Sequence, residues 1–246
     1  TALRTQRVIV FSIVFPVVLL VLFNSIFTNG TNRTTQFSGG EITTAAYFTA
    51  GLAAYAILLQ TFTTLSISLT TQRESGQLKR LRGTPMPSWT FMAAYLLRAV
   101  VFVAVMVIAL FAIGVIAFNV HLRGVGVVGI VVYTIVGTAS LAALGIAVTI
   151  VCSTADMAST VGPFVAVMLS FISGVFIPVA SLPQWLNTIG KIFPLSHLTI
   201  GLQRAVATGV HGTGLTGSDL AIIAAWGLAG LIVSARFFRW EPQGRG

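Results

Sequence analysis

Six long apolar runs, almost free of charge, dictate what this chain can fold into. They cover residues 8–27, 44–70, 91–120, 125–151, 159–179 and 220–238. A helix needs about 20 apolar residues to cross the bilayer core. Each run is long enough, and the only charges inside are Arg98 near the start of the third and Arg236 in the last turn of the sixth. In hydrocarbon the backbone must satisfy its own hydrogen bonds. Continuous rather than alternating apolar runs do so as helices, not as a barrel. The first run is too long for a removed signal peptide, and no small-x-small cleavage site follows between Asn24 and Gly30. The expected fold is an all-α integral membrane protein, one domain over residues 1–246, with six transmembrane helices. The chain begins at Thr1 rather than Met, so a short stretch is expected to precede it.

Composition agrees. Charged residues are 8% of the chain, against about 25% in soluble domains. A soluble protein of this size could not cover its surface with so few. The formal charge of +9 would suggest nucleic acid in a soluble protein. Here the cations lie between apolar runs and report topology instead, with no nucleic-acid partner implied. With the N-terminus inside, the inner side holds Arg4, Arg7, Arg73, Lys79, Arg80, Arg82, Arg98, Arg236, Arg239 and Arg245. The outer side then holds only Arg33, Arg123, Lys191 and Arg204. Both termini are therefore expected in the cytoplasm, in a multi-pass protein of the cell's inner (plasma) membrane.

Several chemistries find no support in the residues. The only Gly-Lys pair, Gly190-Lys191, is followed by Ile192, and Trp185 stands where a phosphate loop would begin with Gly, so no ATP site is expected in this chain. His121, His197 and His211 are far apart in sequence, with no nearby carboxylate or thiol, which speaks against a metal centre. Ser173-Gly174 lacks the preceding Gly of an intramembrane protease motif, and no histidine falls within a span. Glu41, Glu74, Asp156, Asp219 and Glu241 all fall at span ends or in loops, which weighs against ion coupling. Asp156 reads as a helix N-cap, and Asn29 and Asn32, though in sequons, read as turn residues. Cys152 is alone and cannot form an internal disulfide. Thr61, Thr63, Thr64, Ser66 and Ser68 in the second run read as helix–helix hydrogen-bonding groups. The alternative is that this run lines a partly polar path, with Tyr55, Gln60, Phe62 and Thr63 as its candidate surface.

Two connecting segments carry more information. In residues 71–88, Thr71 and Glu74 have the spacing of a capping box, which predicts a helix starting there. Leu78 and Leu81 share a face, Lys79, Arg80 and Arg82 surround them, and Gly83, Pro85 and Pro87 stop the helix. Such a helix either rests on anionic lipid or docks a cytoplasmic partner. In residues 180–206, Pro183 suits a helix start, Trp185, Leu186, Ile189 and Phe193 keep helical spacing, and Pro194 interrupts before a second short helix. Neither half can span a bilayer. They either anchor at the outer interface or form a re-entrant lid over a path.

The string Arg73-Glu74-x-Gly76-x-Leu78-x-x-Leu81-x-x-Thr84-Pro85 resembles the coupling segment of type-2 ATP-binding-cassette (ABC) exporter permeases, with Gln72 and Gln77 as departures. The stretch Ser173-Gly174-Val175-Phe176-Ile177-Pro178, followed by Leu182-Pro183-x-Trp185-Leu186 and Pro194-Leu195-x-His197, is similar to the outer re-entrant segment of the same family. The resemblance implies a permease with no catalytic site of its own that pairs with a second permease, identical or homologous. Two ATP-binding subunits would hold ATP and Mg and hydrolyse the ATP. It implies that Arg73, Glu74, Gly76, Leu78, Leu81, Arg82, Thr84 and Pro85 couple to the ATPase. It likewise implies that Gly174, Phe176, Pro178, Pro183, Trp185, Pro194 and His197 form an outer gate. Expected cargo classes are drugs, lipids, glycans or peptides. The competing readings are an ion- or proton-coupled carrier and a non-transporting scaffold that docks a soluble partner.

Overall fold

The computed structural model describes residues 2–28, 34–37, 40–77, 88–152, 154–210 and 212–237. Helix α1 (Ala2–Thr28) leads to an antiparallel hairpin of β1 (Thr34–Phe37) and β2 (Gly40–Thr43), in which Thr34 faces Thr43 and Phe37 faces Gly40. Helix α2 (Thr44–Leu58) passes through a π-helical turn (Leu59–Thr63) into α3 (Thr64–Glu74). Then come α4 (Ser88–Phe118), α5 (Gly124–Val151) and α6 (Ala155–Ile172). A 3-10 turn (Val179–Ser181), α7 (Gln184–Gly190), α8 (Pro194–Val206) and α9 (Gly217–Phe237) complete the described chain.

Among the described residues, five helices are long and apolar enough to cross a membrane: Thr44–Glu74, Leu96–Phe118, Gly124–Val151, Ala155–Ile172 and Gly217–Phe237. Within α1, Val14–Phe27 forms a shorter apolar helix. The protein is a multi-pass membrane protein, almost wholly helical.

Helix α2 occupies the centre. Every residue from Thr44 to Leu58 is buried, and α1, α4, α5, α6 and α8 all pack against it. A helix apolar on all sides with no preferred face belongs in such a position. Small residues let the other helices approach. On α9, Gly227 and Gly230 meet the backbone of Ser140 and Ala143 on α5, the close packing that membrane helices use in place of a hydrophobic drive. Ser140 Oγ adds a 2.7 Å hydrogen bond to the Ile223 carbonyl across that contact.

The structure corrects several expectations. The hairpin breaks the all-α pattern. The second apolar run stays helical to Glu74, so Thr71 lies inside a helix and the capping box does not form; its hydroxyl bonds the Ile67 carbonyl instead, at 2.8 Å. The fifth run stops being helical at Ile172 rather than residue 179, because Ser173 leaves the helix and Gly174 takes a left-handed φ of 76°. Thr154, not Asp156, caps α6, accepting from the Met157 amide at 3.2 Å. The hydroxyls of Thr61, Thr64 and Ser66 bond carbonyls of their own helix rather than a neighbour, since a helical Ser or Thr reaches the preceding turn by rotating one torsion.

Candidate functional site

At one end of the bundle, α3 closes with Ser75 as its cap and Gly76 at φ 70°, the left-handed position that favours glycine after a helix. The Gly76 amide donates to the Arg73 carbonyl at 3.2 Å. This turn aims the chain into residues 78–87. Leu78, Leu81, Arg82, Thr84 and Pro85 lie outside the described residues. Arg73 and Glu74 diverge. Glu74 is exposed. Arg73 is only 2% exposed and reaches back under the bundle. Its Nη1 donates to the Thr149 carbonyl at 2.8 Å and its Nη2 to the Cys152 carbonyl. These are the C-terminal carbonyls of α5, left without intrahelical donors by helix geometry. Arg73 thus ties the end of α3 to the end of α5, a link between residues 76 positions or more apart that the sequence did not disclose.

Midway along, the π-helical turn presents the candidate path residues to different surroundings. Gln60 and Thr63 line a cavity of about 280 Å³ together with Phe15 of α1, Met106 of α4, and Ala56 and Leu59. Gln60 also borders a smaller space shared with Arg98. Phe62 is buried on the other side, where Gly145 of α5 comes so close that a Cβ there would sit 2.7 Å from the Thr61 carbonyl oxygen and 2.9 Å from that of Phe62. Tyr55 turns instead to the opposite end, where its ring lies 5.3 Å from Phe176.

At that opposite end the chain leaves α6 through a tight turn. Val175 is fully buried and packs over Gly51 of α2, where a Cβ would lie 2.9 Å from the Val175 carbonyl oxygen. Phe176 sits among Phe23, Tyr55 and Phe171, with ring centroids 5.3–5.6 Å away. The Tyr47 hydroxyl of α2 donates to the Gly174 carbonyl and lies 3.2 Å from that of Ile177. Gln203 of α8 donates to the same Gly174 carbonyl at 3.2 Å. Gln203 is a functional candidate the sequence does not mark, and Tyr47, which in the sequence reads equally as a packing residue or as part of an aromatic substrate surface, holds this turn instead. Pro178 leads into the 3-10 turn, and Pro183 precedes α7. Trp185 stays 65% exposed, apart from this cluster.

A second cluster joins α8 to α9. Pro194 opens α8 as its first residue. His197 Nδ1 lies 2.7 Å from Asp219 Oδ1, and its Nε2 lies 2.8 Å from the Lys191 carbonyl. Arg204 Nη1 holds the other Asp219 oxygen at 2.7 Å and also donates to Thr216. Trp226 Nε1 donates to the Ile192 carbonyl at 2.8 Å, with its ring on Phe193. The expectation that no carboxylate attends the histidines fails for His197, because its partner lies 22 residues on and only the fold brings them together. Both ring nitrogens face acceptors, an arrangement that favours the doubly protonated imidazolium over the neutral ring. The hydrogen bond to Asp219 raises the His197 pKa above 6.5, with a smaller upward push from the Lys191 carbonyl and with burial opposing. A raised folded pKa stabilises fully below the unfolded value and is lost as pH rises through the folded one. Thermal stability is therefore expected to fall as pH climbs past 6.5, and His197→Gln should flatten that slope in a melting series.

Residues 1–206 match the family model described as ABC-2 type transporter. The chain belongs to the ABC-2 type transporter family. No curated protein matches it. The matched stretch takes in the Arg73 turn, the π-helical turn and the Gly174 turn, and ends with α8, so α9 and its Asp219 lie beyond it. Membership makes the chain the permease component of an ABC-2 transporter, a family that works with an ATP-binding partner.

Proposed function

We propose that this ABC-2 permease is the membrane half of an ATP-driven exporter. In this reading it has six spans, with α1 as the first, and both termini face the cytoplasm. It pairs with a second permease above two ATP-binding subunits, which hold ATP and Mg and perform the hydrolysis. Residues 71–88 dock on the ATPase, with Leu78 and Leu81 as buried anchors and Glu74 as a charged contact. Residues 174–197 gate the outer end, and an amphipathic or lipophilic cargo passes between the permeases, with Gln60 and Thr63 bordering its route.

The observation that carries the reading is mechanical continuity. One 31-residue helical run, Thr44–Glu74, connects the two ends. At about 1.5 Å per residue it spans about 46 Å. Its lower end is fixed to α5 by Arg73, and beyond it the chain turns at Gly76 into the docking segment. Its upper end holds the Gly174 turn through Tyr47. A displacement at Glu74 thus reaches the gate without crossing a loop. The π-helical turn, an element frequent at functional sites, gives the run one place to flex. Coupling then requires that ATP favour one of two permease states over the other.

The test is co-expression with the ATP-binding subunit, comparing wild type with Leu78→Ala/Leu81→Ala and with Glu74→Ala. The double variant should lose co-purification, since each buried leucine replaced by Ala sacrifices about 2–5 kcal/mol in a well-packed contact. Glu74→Ala should weaken ATP hydrolysis while leaving membrane insertion unchanged. Capture and hydrolysis at wild-type levels in both would remove the docking role from this segment.

A further inference from the structure

An apolar groove on the surface of the bundle takes no part in the coupling path from Glu74 to Gly174. It lies between α4 and α5, has a volume of about 480 Å³, and is walled by apolar side chains including Ala104, Ile108, Phe111, Ile130 and Val131. That volume falls in the range of small-molecule sites. Its rim opens at the surface of the chain, with Ile108 68% and Ile135 53% exposed. Two hydroxyls line it, those of Thr134 and Thr138, one helical turn apart. They are 9% and 1% exposed, and among the described residues neither hydroxyl has a hydrogen-bond partner. This differs from Thr49, Thr61, Thr70 and Ser170, whose hydroxyls bond a carbonyl four residues back at 2.6–2.8 Å.

A buried hydroxyl without a partner carries a desolvation cost that a ligand atom can remove. Depth decides the ligand's chemistry. Thr134 and Thr138 lie about 15 and 21 Å along α5 from Gly124 at 1.5 Å per residue, close to the middle of a hydrocarbon core about 30 Å thick. A phospholipid carries its esters and headgroup at the interface, so at this depth it offers only methylenes. We propose that the α4–α5 groove binds a compact lipophilic molecule bearing a hydrogen-bond acceptor within its apolar body. The molecule enters sideways from the bilayer and takes its polar atom to Thr134 and Thr138. The site does not depend on the exporter reading, because it shares no lining residue with the cavity beside Gln60.

Benzophenone is a suitable probe, since it has two apolar rings flanking one carbonyl and attaches to nearby C–H groups under light. The full chain in its membranes would be irradiated with increasing benzophenone and the adducts mapped by mass spectrometry. Labelling should saturate and concentrate on residues 100–138. Thr134→Val/Thr138→Val, which keeps shape but removes both hydroxyls, should raise the half-saturating concentration about tenfold, the scale expected for lost hydrogen bonds. Diphenylmethane, with the same rings and no carbonyl, should compete poorly against wild type. Ala104→Phe should fill the groove and abolish the saturable labelling. If the double valine variant fails to insert, Thr138→Val alone and the diphenylmethane competition decide the matter. Labelling that rises without saturation over α1 and α9 as well would overturn the proposal in favour of lipid tails in the groove. Saturable labelling unmoved by Thr138→Val, by the filled groove and by the missing carbonyl would overturn it equally.

Discussion

Gly126→Ala and Gly129→Ala should each disrupt the packing of α5 on the α8 region, whereas Gly124→Ala, earlier on the same helix, should leave the protein intact. A Cβ at Gly126 would stand 2.1 Å from the Ala205 carbonyl oxygen, and one at Gly129 would stand 2.1 Å from that of Thr213. Both obstacles are backbone atoms, so α8 at Gly126, and the connection after α8 at Gly129, must move away from α5. Around Gly124 there is nothing within 4 Å. Alanine favours a helix over glycine by about 1 kcal/mol, while overpacking a close contact costs about 1–3 kcal/mol and sometimes more. At Gly126 and Gly129 the clash outweighs the propensity gain. At Gly124 only the propensity remains. Thermal unfolding in detergent should therefore show lower midpoints for the first two variants and an equal or higher midpoint for the third. A fall for Gly124→Ala as large as the others would show that glycine on α5 serves flexibility rather than close approach.

Arg73→Met should release α3 from α5 and carry the second large effect. The side chain keeps an apolar stem and loses every donor. The Thr149 and Cys152 carbonyls then lose a charged donor in a buried place, at about 1–3 kcal/mol for each acceptor left unmet. Arg73→Lys should recover only part of this, because a single ammonium lacks the guanidinium fork that reaches two carbonyls at once. In the assembled transporter, Arg73→Met should uncouple ATP hydrolysis from cargo movement more than it reduces ATPase capture, because it acts on the link between α3 and α5 and not on the exposed face of Glu74. Wild-type stability and coupling in this variant would show that the clasp is incidental.

Hydropathy made the spans legible. The fourth apolar run, read as 125–151, is helical over Gly124–Val151, because lipid demands helix wherever a continuous apolar run is long enough. The same reasoning fails where apolar character and helix part company. Val175, Phe176 and Ile177 are as apolar as the span before them, so the fifth run reads through to residue 179. Backbone dihedrals at Ser173 and Gly174, invisible to hydropathy, end the helix at Ile172. The hairpin escaped because its four-residue strands, Thr34–Phe37 and Gly40–Thr43, are too short and polar to show an alternating pattern. Of the candidate gate, the motif brought out Gly174, Phe176 and Pro178, which fall in one turn. The groups that hold that turn, Tyr47 and Gln203, sit on distant helices and look in the sequence like ordinary span residues. Asp219 reads as a span-end acid, and only the packing of α8 on α9 reveals it as the partner of His197 and Arg204. Arg73 shows a limit of charge counting, which places an arginine at a membrane surface but not which way it points.

If movement of the docking segment reaches the Gly174 turn through the Thr44–Glu74 helix, ATP must change the exposure of that turn. Cys152, the sole cysteine, is buried, so Ile177→Cys would introduce one reactive thiol at the turn held by Tyr47. The decisive measurement is its labelling rate by a membrane-impermeant maleimide in the assembled transporter, with and without ATP. The rate should change on ATP addition and lose that response when Leu78→Ala/Leu81→Ala is added. An unchanged rate while ATP is being hydrolysed would contradict it.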